Sequence, residues 1–305
     1  ISGGSVDVRD SDTIASLTQS AGTVTGISTL TVTGDYTQTG GSTQNSVTIS
    51  ADTFEQTGGT VAGGTTVNAA TSATLNGGTI AGTLGGAGAV TVQTGTTTVS
   101  GTIAGDVTVG AGGKLVIANS NAIGGSITTT GSVVSYGNGV NEGSALIISS
   151  PTTDLEVLAG ASATQSGVIS STDAFGFEKV GTGTLTLTGV NRYNGPTIVN
   201  GGTLLVNNTG GTGTGTNSVT VNDGGTLGGT GFIHGPVVVN SGGILAPGNG
   251  GPGTLTLRSN LTLNPGSRLR FDVGNVATTD RIVVNGNLVL GGTLHSIGSG
   301  VLRTA

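Results

Sequence analysis

Short runs along this chain alternate apolar and hydroxyl residues with a period of two. Thr29-Leu30-Thr31-Val32-Thr33, Thr184-Leu185-Thr186-Leu187-Thr188 and Val219-Thr220-Val221 put Leu or Val on one face and Thr on the other. That is the pattern of a half-buried strand. No stretch carries the 3.6-residue apolar period of an amphipathic helix. An all-β chain with no helix longer than a turn or two is therefore predicted.

The strands recur on a longer unit, a Gly turn followed by a small hydroxyl residue and then an apolar one. Gly22-Thr23-Val24, Gly41-Ser42-Thr43, Gly59-Thr60-Val61, Gly78-Thr79-Ile80, Gly95-Thr96-Thr97, Gly113-Lys114-Leu115 and Gly131-Ser132-Val133 are spaced by 17 to 19 residues. The series resumes more loosely at Gly160, Gly183, Gly202, Gly225, Gly243, Gly266 and Gly292. Each unit is too small to bury its own apolar face, so coils must stack to share one core. The fold predicted is a single-stranded parallel β-helix of about 14 coils of 17–29 residues. Variable coil length fits the right-handed form better than the left-handed one, whose hexapeptide period is strict. Three stretches are distinguished: regular coils over residues 1–131, irregular coils with a loop insertion over 132–176, and coils of a second style over 177–305.

The apolar residue after each register Gly is expected to face inward. Val24, Val61, Ile80, Leu115, Val133, Leu185, Leu204, Leu227, Leu245 and Leu294 would then stack on one face. Asn200, Asn222, Asn240 and Asn264 stand two or three residues before a register Gly. Asn tolerates the left-handed backbone region, and stacked Asn side chains hydrogen-bond along a solenoid. A structural ladder is thus expected there rather than a sugar or metal ligand set.

Composition narrows the class. The 305 residues include 61 Gly, against an ordinary share of about 7%, but Gly does not fall every third residue as collagen requires. Val, Ile, Leu and Thr are too plentiful for disorder. Only 8% of residues are charged, and Cys, Met and Trp are absent. A secreted protein without disulfides can draw its stability from stacked backbone hydrogen bonds. No apolar run is long enough to span a membrane as a helix. No signal peptide opens the sequence at Ile1, so a mature segment or excised fragment is expected. The net charge of −6 arises in residues 1–150, with eight acids against Arg9 and Lys114. With no basic stripe, nucleic acid is not an expected partner.

Candidate chemistry is sparse. A polysaccharide-degrading β-helix needs paired carboxylates, whereas Asp106, Asp154, Asp173, Asp223, Asp272 and Asp280 share no rank within the coil. Asp10 and Asp12 sit at the start of the chain, and His234 and His295 are isolated turn or surface residues. There is no His or Cys cluster for a metal and no calcium-roll motif. The Gly-x-Gly strings precede no helix, so they carry no phosphate-loop meaning. No catalytic, cofactor-binding or metal residue is assigned, no cofactor is expected, and the chain is read as not an enzyme. Ice binding would need a second Thr two places beyond the first in each coil. Those positions read Thr25, Gln44, Ala62, Ala81, Thr98, Val116, Val134, Ala163, Thr186, Leu205, Gly228 and Ala246, which is no array. Two local features are possible contact points. One is the break at Tyr136-Gly137-Asn138-Gly139-Val140-Asn141-Glu142, expected to loop off the coils. The other is the group Arg258, Arg268, Arg270 and Arg281, offset by Asp272 and Asp280 in a salt-linked face.

From Phe177 the text changes character. Lys179-Val180-Gly181-Thr182-Gly183-Thr184-Leu185-Thr186-Leu187-Thr188-Gly189-Val190-Asn191-Arg192-Tyr193-Asn194-Gly195 leads into Thr197-Ile198-Val199-Asn200-Gly201-Gly202-Thr203-Leu204-Leu205-Val206. Gly224-Gly225-Thr226-Leu227-Gly228-Gly229, Leu245-Ala246-Pro247-Gly248-Asn249, Pro252-Gly253-Thr254-Leu255-Thr256-Leu257 and Asp280-Arg281-Ile282-Val283-Val284 follow in order. This resembles the autotransporter-associated β-strand repeat of type V secreted passenger domains, over roughly residues 177–295. Residues 1–176 match it in style only, and Pro196 stands where the family more often has Gly. The resemblance implies a passenger linked to an outer-membrane β-barrel and displayed or released at the bacterial surface, an extracellular location. It transfers no functional residues. The expected role is a structural or adhesive one in adhesion, aggregation or biofilm, with surface glycans or proteins, or copies of itself, as partners. A self-assembling extracellular fibre or matrix component is the alternative, and a polysaccharide-degrading enzyme the more remote one.

The ends differ. Asp7, Arg9, Asp10 and Asp12 could form a polar gatekeeping edge, whereas Val301-Leu302-Arg303-Thr304-Ala305 offers no evident cap. The C-terminal end is expected to be the stickier of the two.

Overall fold

A computed structural model describes residues 1–248, 250–274 and 279–297, with side chains described as far as His295. The chain is a parallel β-solenoid of about 13 turns, its strands joined by turns, with no helix among the described residues. It divides into two compact units, Ile1–Leu146 and Ile147–Ala305. No helix among the described residues is long and apolar enough to cross a membrane.

In the first unit one sheet stacks Ser5–Val8, Thr23–Gly26, Ser42–Thr43, Thr60–Val61, Gly78–Ile80, Gly95–Val99, Gly113–Ile117 and Val133–Tyr136. A second sheet is carried by Thr29–Gln38, Thr48–Gln56, Thr66–Leu75, Ala89–Val92, Val107–Val109 and Ile127–Thr129. In the second unit one sheet stacks Asp154–Val157, Phe177–Val180, Thr197–Val199, Val219–Val221, Val237–Val239, Leu261–Leu263 and Leu288–Leu290. Another runs through Ser162–Gln165, Thr184–Leu187, Gly202–Val206, Gly225–Gly229, Ile244–Pro247, Arg268–Asp272 and Thr293–Ile297.

Glycine holds the corners because backbone approaches backbone there. Gly41 turns with a φ of 69°, and a Cβ would stand 2.4 Å from the carbonyl oxygen of Gly22 in the preceding coil. Gly202 repeats the arrangement in the second unit, with a φ of 62° and a Cβ position 2.4 Å from the Gly183 oxygen. Both the left-handed backbone and the close approach exclude a side chain. This is why the repeat is written in glycine.

Between corners, alternate side chains point inward, and each fully buried Val or Leu contributes roughly 1.5–3 kcal/mol. Eight of the ten residues expected inside are buried, namely Val24, Val61, Ile80, Leu115, Leu185, Leu204, Leu227 and Leu245. They do not share one face. Val24, Val61 and Ile80 belong to a column that passes through Thr43 and continues to Val99, Ile117 and Tyr136. Leu115 pairs instead with Thr97 and Val134, because Gly78 lies opposite Thr97 rather than Gly95. Leu185, Leu204, Leu227 and Leu245 form a column in the second unit's other sheet. Val133 is half-exposed, and Val134 is buried in its place, one residue along. Leu294 follows Leu269 in its column but is 50% exposed, as are Leu288 at 50% and Leu290 at 67%. They lie on the last described strands of their sheets. Residues 298–305, and with them the uncapped C-terminal sequence, lie outside the described residues.

The break at 136–142 does not loop off. Asn138, Gly139 and Asn141 are exposed, while Tyr136, Val140 and Glu142 are buried. Glu142 is drawn in because its carboxylate accepts the backbone N–H groups of Ala122 at 3.2 Å and Ser144 at 3.0 Å. The insertion is a tight corner whose polar groups are satisfied internally.

Candidate functional site

Many conspicuous polar residues serve the scaffold. In the second unit Asn222 Nδ2 donates to Asn200 Oδ1 at 2.7 Å, Asn240 to Asn222 at 2.8 Å, and Asn264 to Asn240 at 2.9 Å. Asn200 in turn donates to Glu178 at 2.6 Å. The expected Asn ladder is therefore a hydrogen-bonded column, with its amides occupied by one another.

The first unit holds a counterpart that sequence reasoning missed. Gln19, Gln38 and Gln56 are fully buried. Gln38 Nε2 donates to Gln19 Oε1 at 3.2 Å, and Gln56 Nε2 to Gln38 Oε1 at 2.9 Å. Tyr36 donates its hydroxyl to Gln19 Oε1 at 2.7 Å, and its ring lies 5.0 Å from that of Phe54. The signal was present in the shared text Gln38-Thr39-Gly40-Gly41 and Gln56-Thr57-Gly58-Gly59. Glutamine is ordinarily a surface residue, so only a stacked partner makes its burial tolerable.

Outward threonines also align where the Gly register does not look. Thr29, Thr48, Thr66, Thr83 and Thr102 pair coil to coil in the first unit. The column two residues on reads Thr31, Ser50, Asn68 and Gly85, so no paired Thr plane forms.

The carboxylates are less scattered than their ranks suggest. Asp154 lies opposite Glu178. Partial burial, then the charges of Glu178 and Glu156, raise its pKa above the ordinary Asp range. Asp272 and Asp280 also come together, Asp280 lying against the end of the strand Arg268–Asp272. Asp280 Oδ2 accepts the Asp272 N–H and its Oδ1 accepts the Gly253 N–H, both at 2.8 Å. Linear spacing hides this meeting. Neither arrangement belongs to a metal-holding group of His, Cys, Asp or Glu among the described residues.

The arginine group is not one face. Arg258 stacks over the Phe232 ring, 5.1 Å from its centroid. Partial burial and then the Arg258 charge hold His234 below the usual imidazole range, against a hydrogen bond with the Gly211 backbone. Arg270 lies elsewhere, in a surface depression of about 340 Å³ that it shares with Asp272 and Asp280. Thr184, Thr203 and Thr226 border the depression, as do Leu205, Ala246 and Pro247. Leu205 and Ala246, which line it, belong to the outward column Thr186, Leu205, Gly228, Ala246. Arg268 and Arg281 do not line it. A depression and polar side chains without a hydrogen bond among the described residues coincide here.

In the distinctive text beginning at Phe177, alternate residues are buried, among them Phe177, Lys179, Asn191 and Tyr193. Phe177 and Tyr193 meet edge to face at 5.5 Å, and the Tyr193 hydroxyl lies 2.5 Å from Thr197 Oγ1. Asn191 accepts the Ile169 N–H at 2.8 Å and donates to Gly213 O at 2.6 Å. Lys179 is fully buried and donates to the carbonyls of Val180, Gly181 and Gly201. Burial pulls its pKa down to about 8, with Glu156 acting in the opposite direction.

Residues 177–206 match the family described as the passenger-associated-transport repeat, a repeat characteristic of autotransporter passenger domains. No curated protein matches the chain.

Proposed function

We propose that this chain is a non-catalytic, surface-exposed part of an autotransporter passenger, acting in adhesion or cell-to-cell aggregation. The observation that carries the reading is the passenger-repeat match at 177–206. The matched residues Lys179, Asn191 and Tyr193 are spent on the scaffold, which fits a repeat that builds a display element. A passenger of this kind is carried outside by an outer-membrane β-barrel, and its partners would be surface glycans, surface proteins or further copies.

The test displays the chain on bacteria from a barrel translocator and compares aggregation and attachment with the barrel alone. Increased attachment or aggregation is expected. Behaviour equal to the bare barrel, together with turnover of a polysaccharide by the purified chain, would overturn the reading.

A further inference from the structure

We propose that the depression over Leu205, Ala246 and Pro247 binds a neutral hexopyranose unit of a glycan, with Arg270 and Asp272 as its polar anchors. The proposal deepens the adhesive reading and rests on it for the biological source of the sugar.

Size comes first. The depression, about 340 Å³, has room for a single hexopyranose unit. The volume also falls at the lower end of the range for small-ligand sites. An ordinary outward column of a solenoid has no such room, because each coil fills its place with a side chain. Here the short side chain of Ala246 and the ring of Pro247 lie at the floor, with Leu205 and Arg270 also lining the space.

Chemistry then selects the class. Leu205, Ala246 and Pro247 offer an apolar surface that suits the C–H face of a pyranose ring. Arg270, exposed and without a hydrogen bond or ion pair among the described residues, offers a fork of donors to ring hydroxyls. The side-chain oxygens of Asp272 are likewise without a hydrogen bond among the described residues, and they can accept from hydroxyls. Thr203 and Thr226 add hydroxyls that both donate and accept. A vicinal diol uses donors and acceptors together, as this set provides. An anionic sugar would gain Arg270 but meet the carboxylates of Asp272 and Asp280, so a neutral unit is preferred.

The site is partly open, and no aromatic ring among the described residues lines it. A single sugar should therefore bind with a dissociation constant on the order of millimolar. Methyl glycosides of glucose, galactose and mannose are the probes, titrated to about 100 mM against the isotopically labelled chain, with glucuronate as the anionic control. Saturable shifts around Thr203, Thr226 and Arg270 are expected for at least one neutral glycoside, with weaker binding of glucuronate. Arg270→Ala and Asp272→Asn should each weaken binding about tenfold or abolish it, with melting unchanged. No saturable shift with any glycoside, equal binding in both variants, or tighter binding of glucuronate would overturn the proposal. Cells displaying Arg270→Ala that still attach and aggregate fully would overturn a role for this site and leave the adhesive reading standing. Intact sugar binding on cells that neither attach nor aggregate would do the reverse.

Discussion

Lys179 Nζ donates to the carbonyl oxygen of Gly201, 3.1 Å away on the following coil, and to those of Val180 and Gly181 at 2.9 Å. All three ammonium protons are thus placed on backbone oxygens in a water-poor site. Burial lowers the folded-state pKa from 10.5 to about 8. Below that value both the folded and unfolded chains hold the proton, and stability does not depend on it. Between about pH 8 and 10.5 the unfolded chain binds more protons, so stability rises with pH. The rise should be on the order of 1–3 kcal/mol. Denaturant titrations across this window should show it in the wild type and not in Lys179→Met. Parallel profiles for the two proteins would mean that the amine is solvated.

Gln38 occupies the centre of the buried glutamine column, donating to Gln19 and accepting from Gln56. Gln38→Leu keeps much of the volume but leaves Gln56 Nε2 with only backbone carbonyls at 3.4 Å. The cost should be about 1–3 kcal/mol, that of a buried donor left poorly satisfied. A lowered denaturation midpoint for the first unit is expected. A variant as stable as the wild type would show that the column adds no net stability.

Strand direction, corner glycines and alternation were legible in the sequence because each follows from local backbone chemistry. Register between coils was less so. Gly78 and Gly95 look equivalent in the text, yet Gly78 pairs with Thr97, and the apolar residue two places beyond Gly131 is the outward Val133. Two adjacent valines give the alternation pattern no means of choosing, and the choice is made by pairing of Leu115 with Val134. The depression was illegible for a related reason. Leu205, Gly228 and Ala246 become neighbours only once coils of 23 and 18 residues are stacked. Asp272 and Asp280 meet through the Asp280 carboxylate, which no repeat count anticipates.

The register assignment can be tested on those valines. Val134→Asp would bury an unpaired carboxylate and should cost at least several kcal/mol, unfolding the first unit or preventing its accumulation. Val133→Asp places the same charge at a half-exposed position and should cost about 1 kcal/mol or less. Circular dichroism and denaturant midpoints of the two variants decide between them. The reverse order of damage would return Val133 to the interior.

Asp280 should hold the edge of the depression in shape. Its two carboxylate oxygens accept the N–H groups of Gly253 and Asp272, and the Asp280 N–H donates to Asp272 O at 2.8 Å. One buried side chain therefore joins the loop before Thr254–Leu257 to the end of Arg268–Asp272. Asp280→Ala leaves both N–H groups without their acceptor, and bonds to an ionised group are worth about 1.5–3 kcal/mol each. Part of that loss is recovered if water enters from the depression. The opening should then be local, with the stacked coils beneath retained. Amide hydrogen exchange is the direct measurement. In Asp280→Ala the Gly253 and Asp272 amides should exchange at least about tenfold faster, while Leu245 and Leu257 keep their protection. Asp280→Asn retains one carbonyl oxygen and should give an intermediate result. Unchanged exchange at Gly253 and Asp272 would show that other groups hold this edge, and the carboxylate would then be free to act on a bound ligand.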